Sequence, residues 1–197
     1  MNAFRLGLTG SIGMGKSTTA ALFADEGIPV WDADASVHSL YATGGRAVEP
    51  VSAICPAALV DGSIDRSALK LWIASDPSAL KRLESIVHPL VAKDRATFLT
   101  TATSDIVVFD IPLLFEKGTE SEMDATVLVT APLCLQRRRV LSRPGMTEEQ
   151  FSAILARQMP DAEKRSRATH IIETLNLDAA RACVRALIAF IREERDA

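Results

Sequence analysis

The sequence predicts an α/β protein, a five-stranded parallel sheet flanked by helices. Three observations lead there. Short apolar runs recur at Phe4–Thr9, Ile28–Trp31, Ile106–Phe109, Thr126–Val129 and Thr169–Glu173, too apolar to leave one face in water, as strands buried on both faces must be. The segments between them carry helix formers with apolar positions three and four apart, so strands and helices alternate. The chain has 197 residues, above the roughly 150 of an average domain, which leaves room for one domain with an inserted lobe.

Each element follows from local chemistry. After Phe4–Thr9 comes glycine-rich sequence, then helix formers from Ser17 to Ala24, ended by Gly27. Ile28–Trp31 is the second strand, and Asp32-Ala33-Asp34 puts two carboxylates at its carboxyl end. From about 36 to 103 the pattern is helical, with Leu69, Trp72, Ile73, Leu80, Leu83, Ile86 and Val87 at spacings of three and four, and no strand is expected. This block reads as a helical insertion in a single domain whose core is about 1–35 and 104–197. Residues 137–160 read as a lid: a helix, a Pro-Gly turn in RPGMTEEQ, and a second helix starting at Thr147. An amphipathic helix ends the chain.

Composition excludes several classes. Apolar residues are 48% and charged residues 24%, with a net charge of −3. That balance speaks against nucleic-acid or membrane-surface partners. The longest uncharged stretch, Ala125–Gln136, falls well short of the ~20 residues that span a bilayer. The opening MNAFRLGLTG lacks the features of a secretory signal, so a cytoplasmic protein is expected, monomeric or weakly homo-oligomeric. Cys55, Cys134 and Cys183 are widely spaced and read as small apolar residues rather than disulfides or zinc ligands.

Gly10–Ser17, GSIGMGKS, matches GxxxxGK[ST] between a strand and a helix, which predicts the P-loop NTPase fold. Gly10, Gly13 and Gly15 let the backbone amides of the loop, with those of Ser11, Ile12 and Met14, converge on phosphates. Lys16 reaches the β and γ phosphates, Ser17 is placed for Mg²⁺, and Thr18 for the α phosphate. A lysine in a helix's first turn opposes the helix dipole, and a bound anion resolves that conflict. A nucleoside triphosphate and Mg²⁺ are therefore the expected nucleotide and metal.

Phosphate loops serve switches, motors and kinases alike. None of the six lysines lies in an [NT]KxD guanine motif and no DxxG segment occurs, which disfavours a GTP switch. Asp110 is followed by Ile111-Pro112 rather than by a glutamate that could activate water, which disfavours a motor ATPase. Asp110 reads either as a magnesium ligand or as the end of its strand. Asp32 is the candidate base for a hydroxyl acceptor, and Asp34 either assists or caps the next helix. Arg139 and Arg143, four apart, share a helix face and point toward phosphate, whereas Arg137 and Arg138 read as solvated. Leu133, Val140 and Leu141 are the expected apolar stripe of that helix. Arg157 and Gln158 are either surface residues or nucleotide contacts. The leading reading is a kinase of a small molecule; its rivals are a nucleoside or nucleotide kinase and a nucleotide-binding regulatory module.

The segments LGLTGSIGMGKSTTAALFADEGIPVWDAD, SIVHPLV, FDIPLLFE and RRRVLSRPGMTEEQFSAILARQMPDAEKR resemble, in order, the signatures of the bacterial dephospho-coenzyme A kinases. The resemblance implies transfer of the γ-phosphate of ATP to the ribose 3′-hydroxyl of 3′-dephospho-coenzyme A, with Asp32 as base and Arg139 and Arg143 as lid arginines. It implies acceptor contacts at Asp34 and, in the insertion, at Asp65, Arg66, Leu69, His88 and Pro89. His88 also reads as a helix residue stopped by Pro89. Pro112, Leu113, Leu114 and Glu116 would form a loop near the acceptor, with Glu116 orienting substrate or capping. HIIETLN departs from the family's usual end of the last strand, so Thr174 or a backbone group is expected to serve the adenine side.

Overall fold

The computed structural model describes residues 3–196. It divides into two compact units, one built from the chain up to Trp31 and from Ala102 onward, the other from Asp32–Thr101.

The first unit holds a parallel sheet. β1 (Phe4–Thr9) lies at its centre, between β5 (Ile106–Asp110) and β6 (Ala125–Thr130); β2 (Val30–Asp32) and β7 (His170–Glu173) are the edges. The spatial order is β2-β5-β1-β6-β7. Leu8 of β1 is in register with Asp110 and with Val127, so the strands end along one edge, where the chain reverses between β1's neighbours and a ligand crevice forms. Leu6, Leu8, Ile106, Val108, Val127 and Val129 bury one face against Leu22 and Phe23 of α1 (Lys16–Asp25) and Val184, Ile188 and Ile191 of α9 (Leu177–Asp196). The other face is closed by Phe109, edge-on to Trp31 with ring centroids 5.9 Å apart, and by Leu114 and Met123, which crowd Gly7. Both faces are covered, which is why the strands read as continuous apolar runs.

The second unit contains α2 (Ala33–Tyr41), α3 (Val48–Ile54), a hairpin of β3 (Leu59–Val60) and β4 (Ser63–Ile64), α4 (Arg66–Ser75) and α5 (Ala79–Thr101). Leu40, Val51, Ile64, Leu69, Leu83 and Val87 form its core. The Ser36 hydroxyl donates to Asp94 at 2.7 Å, tying α2 to α5. The hairpin corrects the expectation of an uninterrupted helical block. Asp61 (φ 47°) and Gly62 (φ 75°) make its two-residue turn, the Asp-Gly geometry that hairpins favour. Nor does Pro89 stop a helix, since α5 runs through it. The missing N–H costs one i−4 bond, to Ser85, while Pro89 itself lies on an exposed face.

The remaining helices of the first unit are α6 (Leu133–Leu141), α7 (Glu148–Leu155) and α8 (Asp161–Arg167). Thr147 and Gln150 form a capping box that starts α7, and Arg137 holds Glu148 through two bonds of 2.9 and 2.8 Å. The expected stripe of α6 needs correcting: Val140 is buried, but Leu133 is 68% exposed, and the buried partner of Val140 is Gln136.

Candidate functional site

The phosphate loop takes its shape from two glycines in the left-handed region, Gly13 (φ 76°) and Gly15 (φ 95°). A side chain at Gly13 would also collide with Val140 Cγ2. Successive residues of this kind turn backbone N–H groups into one concavity, a nest for anions. Gly15 is the N-cap of α1, so the helix's positive end faces the same place. Ser17 and Thr18, in the first turn, are exposed.

The loop is held by side chains from outside it. Gln136 Nε2 donates to the Ile12 carbonyl at 2.8 Å, and the Ile12 N–H donates to Gln158 Oε1 at 3.1 Å. The Thr174 hydroxyl donates to the Met14 carbonyl at 2.7 Å. Arg139 in turn donates to Thr174 Oγ1 (2.9 Å) and to the Thr174 carbonyl (2.6 Å). Lys16 donates to Asp110, which is buried at the end of β5. A cleft of about 360 Å³ is lined by Gly13, Gly15, Thr18, Arg139, Arg143, Thr174, Asn176, Leu177 and Ala180. Asn176 caps α9, accepting the Ala179 N–H at 2.8 Å.

Of the expected site residues in this unit, the structure therefore brings Gly13, Gly15, Thr18, Arg139 and Arg143 to one cleft. Gly10 and Ser11 are buried in the loop's base. Pro112 offers its carbonyl to the Thr9 hydroxyl at 3.1 Å, and Leu113 is 37% exposed. Leu114 corrects the expectation of an acceptor contact: it is wholly buried and packs into the sheet's second face. Glu116 neither caps a helix nor stands free. Its Oε1 lies 2.8 Å from the fully buried Lys164 ammonium and accepts the Met159 N–H at 3.0 Å. Burial alone would raise this carboxyl, but Lys164 and the Met159 N–H outweigh it and hold it below the ordinary glutamate range.

In the second unit, Asp32 is exposed and caps α2, accepting the Ala35 N–H at 3.0 Å. Asp34 is exposed in that helix's first turn. Asp65 caps α4 through the Ser67 N–H at 2.7 Å, and Arg66 is exposed beside it. His88 is exposed, 3.9 Å from Glu84 one turn back. Leu69 is another correction, buried in this unit's core, where it packs rather than meets a ligand.

Sequence reasoning missed Gln136, Leu177 and Ala180. Nothing in a basic helix marks Gln136; its burial emerges only when α6 packs on the loop. Gln158 stood between two readings, and the structure gives it the loop's Ile12 N–H.

A sheet in this order, with the loop between β1 and α1 and a basic helix over the cleft, defines a P-loop kinase. A family model described as dephospho-CoA kinase matches residues 4–178. The chain is 72% identical, over its full length and that of the relative, to a dephospho-CoA kinase of Cereibacter sphaeroides. The chain belongs to the dephospho-CoA kinase family and is a phosphotransferase. Among solved structures, one from Thermus thermophilus superposes with a TM-score of 0.84 at 40% identity, covering 98% of each chain. The dephospho-CoA kinase from Campylobacter jejuni, at 22% identity, covers 95% of this chain and 96% of its own with a TM-score of 0.65, a likeness of fold. Among the described residues no helix is long and apolar enough to cross a membrane.

Proposed function

We propose that the protein transfers the γ-phosphoryl of ATP to the ribose 3′-hydroxyl of 3′-dephospho-coenzyme A, giving coenzyme A and ADP, in the cytoplasm. What carries this reading is the family match across residues 4–178 on a chain whose loop keeps both left-handed glycines and an ionic Lys16.

The Gly13 and Gly15 amides and Lys16 hold the β and γ phosphates, the Ile12 and Met14 amides being engaged by Gln158 and by the Ser11 carbonyl; this requires Lys16 to exchange Asp110 for phosphate oxygen. Asp32 accepts the proton of the 3′-hydroxyl through the oxygen that does not cap α2. The freed oxygen forms the new bond to phosphorus as the bond to the ADP oxygen breaks. Arg143, and Arg139 from its station on Thr174, offset charge on the transferred group. Asp34, Asp65, Arg66, His88, Pro89, Pro112 and Leu113 are the candidate acceptor contacts.

Ser17 and Asp110 supply oxygen donors of the kind Mg²⁺ prefers. The described residues contain no cluster of three acidic, histidine or cysteine side chains that could hold an ion, so the fit is to an ion completed by phosphate oxygens and water. When bound, the ion neutralises phosphate charge. Closure of α6 and α7 over the cleft would exclude water and limit wasteful hydrolysis.

The test is ADP release with Mg-ATP, with and without dephospho-coenzyme A, and with adenosine and AMP as control acceptors. Stimulation by dephospho-coenzyme A alone, with coenzyme A as product, is the expected result. Stimulation by adenosine or AMP instead, or none by any acceptor, would overturn the reading.

A further inference from the structure

The phosphate loop carries two peptide groups whose carbonyls are gripped by buried side chains from outside the loop. The Ile12 carbonyl accepts from Gln136, which is 2% exposed, and the Met14 carbonyl accepts from Thr174, 5% exposed. Every described peptide bond is trans, and in a trans peptide the carbonyl and the following N–H point in opposite directions. Pinning the Ile12 carbonyl therefore aims the Gly13 N–H the other way, and pinning the Met14 carbonyl does the same for Gly15. Those two glycines have left-handed backbones, so their N–H groups open the concavity that suits an anion.

We propose that Gln136 and Thr174 are positioning residues: each fixes one loop carbonyl from outside the loop, and so presents the Gly13 and Gly15 N–H groups to the nucleotide's phosphates. The proposal rests on the reading of this loop as the ATP site. It accounts for two polar side chains in the interior, where an unpaired amide or hydroxyl is costly and an apolar residue of similar size would pack. It also gives Arg139 a further duty. With Arg139 Nη1 donating to Thr174 Oγ1 at 2.9 Å, the hydroxyl's own proton is turned away from the guanidinium toward its carbonyl acceptors, of which Met14 at 2.7 Å is nearer than Thr130 at 3.3 Å. Without these grips, loop peptides next to glycine are free to rotate, and the N–H groups lose their aim before the anion arrives.

Three variants test it: Thr174→Val, which keeps the shape and removes the hydroxyl; Thr174→Ser, which keeps the hydroxyl; and Gln136→Met, which keeps the length and removes the donor. Affinities for ATP, inorganic tripolyphosphate and adenosine are measured by calorimetry, with melting temperatures alongside. Expected is a loss of about tenfold for ATP and tripolyphosphate in Thr174→Val and Gln136→Met, the scale of one hydrogen bond. Adenosine affinity stays as in the parent, and Thr174→Ser restores phosphate binding. Equal losses for adenosine and ATP would mean that these residues touch the base or merely hold the fold, and would overturn the proposal. So would unchanged tripolyphosphate affinity in both isosteric variants, or failure of Thr174→Ser to restore it. A parent protein that bound neither ATP nor tripolyphosphate would refute the nucleotide reading itself, and this proposal with it.

Discussion

Replacing Asp32 by asparagine is predicted to remove turnover while leaving the fold nearly as stable. Asp32 performs two separable tasks in this scheme, capping α2 with one oxygen, 3.0 Å from the Ala35 nitrogen, and taking a proton with the other. Asparagine keeps a cap acceptor and ranks with aspartate as an N-cap, so only the favourable charge at the helix's N-terminus is lost, about 0.3–1 kcal/mol. Asp34 remains in the first turn and retains part of that effect. For a chain of this size the melting temperature should fall by about 1–4 °C. Loss of a general base should lower kcat about 10²- to 10⁴-fold, equivalent to about 3–5 kcal/mol of barrier. Asp32→Ala should show the same kinetic loss with about 1 kcal/mol of further destabilisation, because the cap goes too. The assay is acceptor-stimulated ADP release beside thermal unfolding of both variants. An Asp32→Asn enzyme with the parent's kcat would refute the base role, and one that melted as low as Asp32→Ala would refute the division of labour.

Glu116→Gln keeps an acceptor but removes the counter-charge of a fully buried Lys164 and should cost about 3 kcal/mol in urea unfolding; Glu116→Leu with Lys164→Met should recover most of it. Gly13→Ala places a Cβ at φ 76°, in collision with Val140 Cγ2, and should abolish ATP binding in a titration while lowering the melting temperature. Arg143→Ala should lower kcat on the order of 10³-fold with ATP affinity nearly kept, whereas Arg139→Ala should weaken both, since Arg139 also braces Thr174. Burial holds the His170 imidazole below its ordinary value, so the folded state resists protonation there. Stability should be full above about pH 6.5 and decline as pH falls through the lowered folded value. The Glu116, Asp105 and Asp124 carboxyls are also held low, and should add a second decline on going below the usual carboxylate range. His170→Phe should remove the first decline and leave the second when unfolding midpoints are measured across pH.

The five sheet strands were legible because a strand covered on both faces must be apolar throughout, and Ile106–Asp110 and Ala125–Thr130 are buried at every position. The short hairpin was not. Two-residue strands carry no periodicity to detect, although Asp61-Gly62 already spelled the turn that joins them. Pro89 misled for a different reason: a proline's local preference to end a helix costs one backbone bond, and in a helix of 23 residues packing of Leu83 and Val87 into the unit's core can outweigh it.

At the site, residues that must be a given type for chemical reasons were legible, and residues defined by what lies behind them were not. Gly13, Lys16 and Ser17 announce themselves because few other side chains permit that backbone or offer that charge. Leu69 and Leu114 were carried onto the acceptor side by resemblance, yet an isolated leucine in a motif does not say which way it faces, and both face a core. The converse holds for Gln136 and Thr174. Their polar groups acquire meaning only when α6 and the end of β7 close on the loop, bringing Gln136 within 2.8 Å of Ile12 and Thr174 within 2.7 Å of Met14 across 124 and 160 residues of chain. A phosphate loop's motif thus specifies the donors but not what aims them, and the aiming is supplied by tertiary contacts that local sequence spacing cannot express.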